Sequence, residues 1–174
     1  MNGVIIGTAN FENKVLLETL NDVEKIYRIG IKSGGVTYPT LISEYSIPEN
    51  VNEDRVRALV SVVVRRVPNL GKRRFLKVLS IGLATEDDVT FVSVVGKLSQ
   101  VPKMHPFTRG DWSFATFPIY VKEWENGTSI FCSAVETTAR FVSSINKGEI
   151  IRVQGKLKMH KGSVTIDVEQ LWRN

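Results

Sequence analysis

Lys147-Gly148-Glu149-Ile150-Ile151-Arg152-Val153-Gln154-Gly155-Lys156-Leu157 joins a turn to a strand, and the residues after it complete a hairpin. The strand runs from Glu149 to Lys158, Lys161-Gly162 makes the turn, and Val164 to Trp172 returns as its partner. Just upstream, Glu136 to Ile145 is the one segment with helical spacing, with Ala139, Phe141, Val142 and Ile145 on one side.

Further upstream the segments are again β-rich. Val89 to Leu98 is a strand ending in Gly96-Lys97-Leu98. A loop from Gln100 to Asp111 follows, holding Pro102, Pro106 and Gly110. Trp112 to Lys122 is the next strand, Glu125-Asn126-Gly127 a hairpin-type turn, and Ser129 to Val135 its partner. Five strands with a short helix between the third and fourth is the layout of an OB barrel.

The first half repeats the programme more loosely. Gly3 to Ala9 is apolar and β-branched, and Lys25 to Lys32 alternates with period two. Ser33-Gly34-Gly35 is a turn, and Tyr38 to Tyr45 a strand despite Pro39, which marks an edge or a bulge. Arg55 to Val67 and Arg74 to Ala84 are long strands around Pro68-Asn69-Leu70-Gly71. Pro48 to Asp54 is too short for a helix. Val4-Ile5-Ile6-Gly7 matches Val94-Val95-Gly96 in place and type. The fold expected is all-β with one short helix, two tandem OB barrels over residues 1–86 and 87–174, with the boundary near Glu86-Asp87-Asp88.

The second half also resembles the bacterial single-stranded-DNA-binding protein family. Val92-Ser93-Val94-Val95-Gly96-Lys97-Leu98 is similar to the family's opening strand with its Val-Gly-x-Leu signature. Ala139-Arg140-Phe141-Val142 and then Lys147 to Leu157 reproduce its helix, Lys-Gly turn and Gly-x-Leu strand without a gap. Over the first half the likeness is one of architecture, to two-barrel relatives of the family. The resemblance implies binding of single-stranded DNA in replication, repair or mobile-element maintenance. Two departures stand out. Typical members end in a flexible acidic tail that recruits partners, whereas this sequence stops at Gln170-Leu171-Trp172-Arg173-Asn174, so tail-mediated recruitment is not expected. Ser129 stands where a tryptophan is common, so the stacking surface has to be sought elsewhere.

Binders of single strands combine a basic groove with aromatic faces. On the strand from Trp112, one parity holds Ala115, Phe117, Ile119 and Val121, suited to the interior. The other row holds Trp112, Phe114, Thr116, Tyr120, Lys122 and Trp124. On its partner strand Ile130, Cys132 and Ala134 face in and Phe131 out. The alternative is that these aromatics pack at a subunit interface or under a loop. Basic residues gather in hairpins and loops: Arg65, Arg66, Lys72, Arg73 and Arg74 in the first half; Lys156, Lys158, His160 and Lys161 in the second; Lys103, His105 and Arg109 in its long loop. Tyr27, Tyr38 and Tyr45 are weaker stacking candidates, since strand tyrosines are commonly half-buried.

Nothing in the sequence points to an enzyme, a metal or a cofactor. His105 and His160 stand in polar loops, no Cys/His spacing resembles a metal site, and Ser33-Gly34-Gly35 lacks the flanks of a phosphate loop. The net charge of +5 favours an acidic partner. A single cysteine, Cys132, excludes an intrachain disulfide and fits a reducing cytoplasm. No signal peptide or membrane helix is expected. The competing functions are a protein–protein adaptor of a replication or primosome assembly and an RNA-binding OB protein. Because family members present about four OB folds per functional unit, a homodimer is expected, with Leu59-Val60-Ser61-Val62-Val63-Val64 as an apolar edge.

Overall fold

The computed structural model describes residues 2–20, 23–49, 53–67, 71–106, 113–123 and 126–174. Its contacts divide the chain into two units, Asn2–Thr90 and Phe91–Asn174.

The first unit is built from β1 (Asn2–Asn10), β2 (Val15–Leu20), β3 (Glu24–Ser33), β4 (Val36–Ser43), a 3-10 turn at Glu44–Ser46, β5 (Glu53–Val67) and β6 (Gly71–Leu83). β1 runs antiparallel to β5 from Gly3↔Val60 to Asn10↔Glu53, and its end also meets β3 at Thr8↔Lys32. β3 pairs with β4, β4 runs parallel to β6, and β6 returns antiparallel to β5. The circuit β1-β3-β4-β6-β5 therefore closes on itself, as an OB barrel does.

The second unit follows the same circuit with β7 (Val89–Leu98), β9 (Ser113–Glu123), β10 (Asn126–Val135), β12 (Ser163–Arg173) and β11 (Ile150–His160). β7 pairs with β9 and β11, β9 with β10, β10 runs parallel to β12, and β12 pairs with β11. Helix α1 (Glu136–Ser143) stands between the third and fourth barrel strands and packs on β9, β10 and β12 through the buried Ala139 and Val142. In the first unit its place is taken by the 3-10 turn.

Each barrel closes where its first strand presses against its second, and a glycine stands there in both. A Cβ on Gly7 would lie 2.1 Å from the Lys32 carbonyl oxygen, and one on Gly96 2.3 Å from Ile119 and 2.8 Å from the Tyr120 carbonyl oxygen. The paired glycines seen in the sequence thus mark the same closure twice.

Alternate residues fill the barrels. In the second unit Val92, Val94, Leu98, Phe117, Ile119, Ile130, Cys132, Ile151, Val153, Leu157, Val164 and Ile166 are all buried. In the first, Ile26, Leu41 and Phe75 pack together with Leu17 and Val63 against them. The buried hydroxyls of Ser33 and Thr40 donate to the carbonyls of Ile6 and Ile29, so they carry no desolvation penalty.

The Lys-Gly turn ahead of β11 has a specific cause. Gly148 takes φ of 101°, a conformation closed to most side chains, and its N–H donates to the Leu98 carbonyl at 2.8 Å. The Leu98 N–H donates back to the Glu149 carbonyl at 2.9 Å, which sets β11 beside β7. Lys161 and Gly162, with φ of 48° and 74°, form the two-residue turn between β11 and β12.

Four expectations need correction. A short β8 (Lys103–Pro106) is an edge strand on β9, inside the segment expected to be a loop, and β2 is an edge strand on β3 that the sequence did not mark. Tyr38 is core, not a half-buried strand tyrosine. Gly127 lies inside β10, opposite Lys122, and is not a turn residue. Leu59-Val60 is no sheet edge, because β5 is flanked there by both β1 and β6.

Candidate nucleic-acid interface

The inward row of β9 is Ala115, Phe117, Ile119 and Val121, all buried, and that of β10 is Ile130, Cys132 and Ala134, buried likewise. The parity of a strand then sends the intervening residues to the other face, where Pro118 is nonetheless buried. Tyr120 is 40% exposed and Phe131 48%, while Phe114 is half-buried.

Register builds these side chains into one outer face. β9 and β10 set Phe114 opposite Val135, Thr116 opposite Ser133, Tyr120 opposite Ser129 and Lys122 opposite Gly127. β8 adds Lys103 opposite Thr116 and His105 opposite Phe114. β7 adds Lys97 opposite Tyr120. The result is three aromatic rings interleaved with the exposed Lys97, Lys103 and Lys122. At the level of Ser129 on β10, the ring comes from Tyr120 on β9.

His105 lies against Phe114 with ring centroids 5.4 Å apart, and its Nε2 is 2.9 Å from Thr116 Oγ1. Tyr120 and Phe131 are the more exposed rings. Lys97 was not singled out in the sequence, because a lone strand lysine looks like an ordinary solvated residue. Only its register opposite Tyr120 sets it on this face.

The basic hairpins differ from one another. On β11–β12, Lys156 Nζ lies 2.9 Å from Glu169 Oε1, and Lys158 pairs with the Asp167 carboxylate. The Glu169 carboxylate holds the Lys156 ammonium above its ordinary range. These two lysines carry acidic partners, whereas Lys161 sits at the tip of the turn. On β5–β6 the register sets Arg65 opposite Arg73, Arg66 opposite Lys72 and Arg74 opposite Val64. From Arg65 to Arg74 no acidic residue interrupts the run.

Other arginines of the first unit are engaged by the acidic segment after β6. Arg55 Nη1 donates to Asp88 Oδ1 at 2.8 Å and its Nε to the Glu86 carbonyl at 2.6 Å. Arg57 pairs with the Glu86 carboxylate. The Gly34 N–H donates to Asp88 Oδ2 at 2.9 Å, and this bond, then Arg55, holds the Asp88 carboxyl below the usual range.

Three expected site residues, Trp112, Arg109 and Trp124, lie outside the described residues. Of the first-unit tyrosines, Tyr45 is exposed, and Tyr27 has Lys14 Nζ 5.6 Å above its ring. Cys132 is buried, and burial pushes its thiol up, away from the reactive thiolate. Among the described residues no cluster of His, Cys, Asp and Glu could hold a metal ion, and no helix is long and apolar enough to cross a membrane.

The chain shares its fold with the single-stranded DNA binding protein from Thermus aquaticus. The match to a deletion mutant of that protein covers 99% of this chain and 93% of the other, with TM-score 0.84 and 13% identity. The match to the wild-type protein covers 99% and 92%, with TM-score 0.82 and 13% identity. No family model and no curated protein matches the chain.

Proposed function

We propose that this protein binds single-stranded DNA without sequence preference and without chemistry, in replication, repair or the maintenance of a mobile element. The observation that carries the reading is the outer face of β9 and β10. Tyr120, Phe131 and Phe114 stand there, with Lys97 opposite Tyr120, Lys103 opposite Thr116 and Lys122 opposite Gly127, over an inward row that is wholly core. Rings of this kind accept any base, because every base has a π-face, and ammonium groups between them meet the phosphates. The two-barrel fold shared with the Thermus aquaticus protein supports the same reading.

The β5–β6 hairpin supports it independently. Like charges directly opposite on paired strands destabilise a sheet. Arg65 opposite Arg73 and Arg66 opposite Lys72 are tolerable at a hairpin end that meets a polyanion. Lys156, Lys158 and Lys161, together with Arg109, Trp112 and Trp124, complete the proposed contact set. For Lys156 and Lys158 a phosphate has to compete with Glu169 and Asp167.

The protein acts as a homodimer in this proposal, and works in the cytoplasm. Titration with oligo-dT at two salt concentrations tests the reading. Binding should weaken steeply with salt, as counterion release requires. Equal binding at both salts, or binding only to an oligomer carrying 2′-hydroxyls, would refute it.

A further inference from the structure

We infer that Gly127 is a positioning residue for the ring of Tyr120, holding it flat on the hairpin as a platform for a base. The inference rests on the reading of this face as a stacking surface. Tyr120 stands opposite Ser129, and Gly127 is two residues along β10 on the same outward row. Such a diagonal neighbour lies within reach of an aromatic side chain. A Cβ on Gly127 would fall 1.8 Å from Tyr120 Oη, 2.1 Å from Cζ and 2.6 Å from Cε2. No real Cβ comes that close, so any other residue at 127 has to lift the ring away.

The backbone gives glycine no separate reason to be there. The left-handed glycines among the described residues are Gly34, Gly35, Gly148 and Gly162, and Gly127 is not one of them. It lies in the strand with pairing on to Lys122, where an alanine backbone fits. What an alanine would meet is the tyrosine ring, whose hydroxyl end would have to swing aside. A ring seated in one orientation before a base arrives loses less freedom on binding, which is the advantage of preorganisation.

The test compares parent, Tyr120→Ala, Gly127→Ala and the double variant for oligo-dT affinity and thermal midpoint. Tyr120→Ala should lose about tenfold in affinity, the lower range for one stacked base. Gly127→Ala should lose severalfold with the midpoint kept, and should cost nothing further once Tyr120 is alanine. Gly127→Ala binding like the parent, or weakening both backgrounds equally, overturns the inference. If Tyr120→Ala itself binds like the parent, the stacking reading of the face has failed, and the inference with it. Should Gly127→Ala not fold, the ring-current shift of the Gly127 α protons replaces it. The upfield shift should be present in the free protein, persist with oligo-dT bound and vanish in Tyr120→Ala; its absence in either parental state overturns the inference.

Discussion

Phe117 on β9 and Phe131 on β10 lie on opposite faces of the barrel wall, so the same truncation asks two different questions of them. Phe117 is fully buried, and Phe117→Ala should cost about 3–5 kcal/mol of stability as a buried aromatic truncation. Phe131→Ala, on the outer face, should leave the thermal midpoint close to the parent's and weaken oligo-dT binding about tenfold. Calorimetry and a fluorescence titration on both variants separate the two effects; a destabilised Phe131→Ala with intact binding would reverse the assignment. Asp88 is open to a pH test. Its carboxyl is held below the usual range by the Gly34 N–H and by Arg55, so its contribution is present above the unfolded pKa and lost as pH falls through the folded one. Asp88→Asn should therefore lower the midpoint modestly at neutral pH, and the gap should close in acid. A gap that stays constant down to acid pH would show that the charge is not what matters. At this scale the sequence was legible wherever period two applied, which is why the β9 and β10 rows came out with the right parity. Tyr38 was not, because a tyrosine beside a proline carries no mark of being core. Nor was the role of Gly127, since Asn-Gly is also the commonest hairpin turn signal.

Hairpins are where charge and geometry meet. β5 and β6 pair from Val56↔Leu83 out to Val67↔Gly71, and only the part up to Val60 is also paired to β1. The outer part carries the five basic residues. Each phosphate contact contributes about −0.7 to the slope of log affinity against log salt for a single strand. Arg73→Ala with Arg74→Ala should flatten that slope by about 1.4 while leaving base preference alone, as titrations at several salt concentrations would show. An unchanged slope would take this hairpin off the path of the strand. The long strands of this hairpin were plain in the sequence from their β-branched density. β2 and β8 were not. Val15-Leu16-Leu17-Glu18-Thr19-Leu20 has no alternation, with a register shift between Leu16 and Glu18, and β8 is four residues ending in proline. Both exist because a longer neighbour offers an edge to pair with, which is a tertiary cause that local pattern does not carry.

The second unit as a whole presents a further face. On the outer side of β7, β11 and β12, Phe91, Val95, Ile150 and Trp172 are exposed, with Val95 opposite Arg152 and Arg152 opposite Trp172. We propose these exposed apolar side chains as the dimer face, in place of the Leu59–Val64 run. Light scattering should give twice the chain mass at micromolar concentration, and Val95→Glu should return the monomer; a monomeric parent would refute the proposal. The duplicated circuit was legible as a duplication because the closing glycines, Gly7 and Gly96, sit at matching places. The closure has a bearing on how the chain acquires its shape during synthesis. In each barrel the first strand must wait for the fourth, since Gly3 pairs with Val60 and Val94 with Val153, and the third must wait for the fifth. Such distant partners make for slow formation, in the range of milliseconds to seconds. Yet all the strands of the first circuit lie before Thr85, so that barrel has its full complement while the ribosome is still making the second. The order of the two units along the chain thus turns one long search into two successive shorter ones.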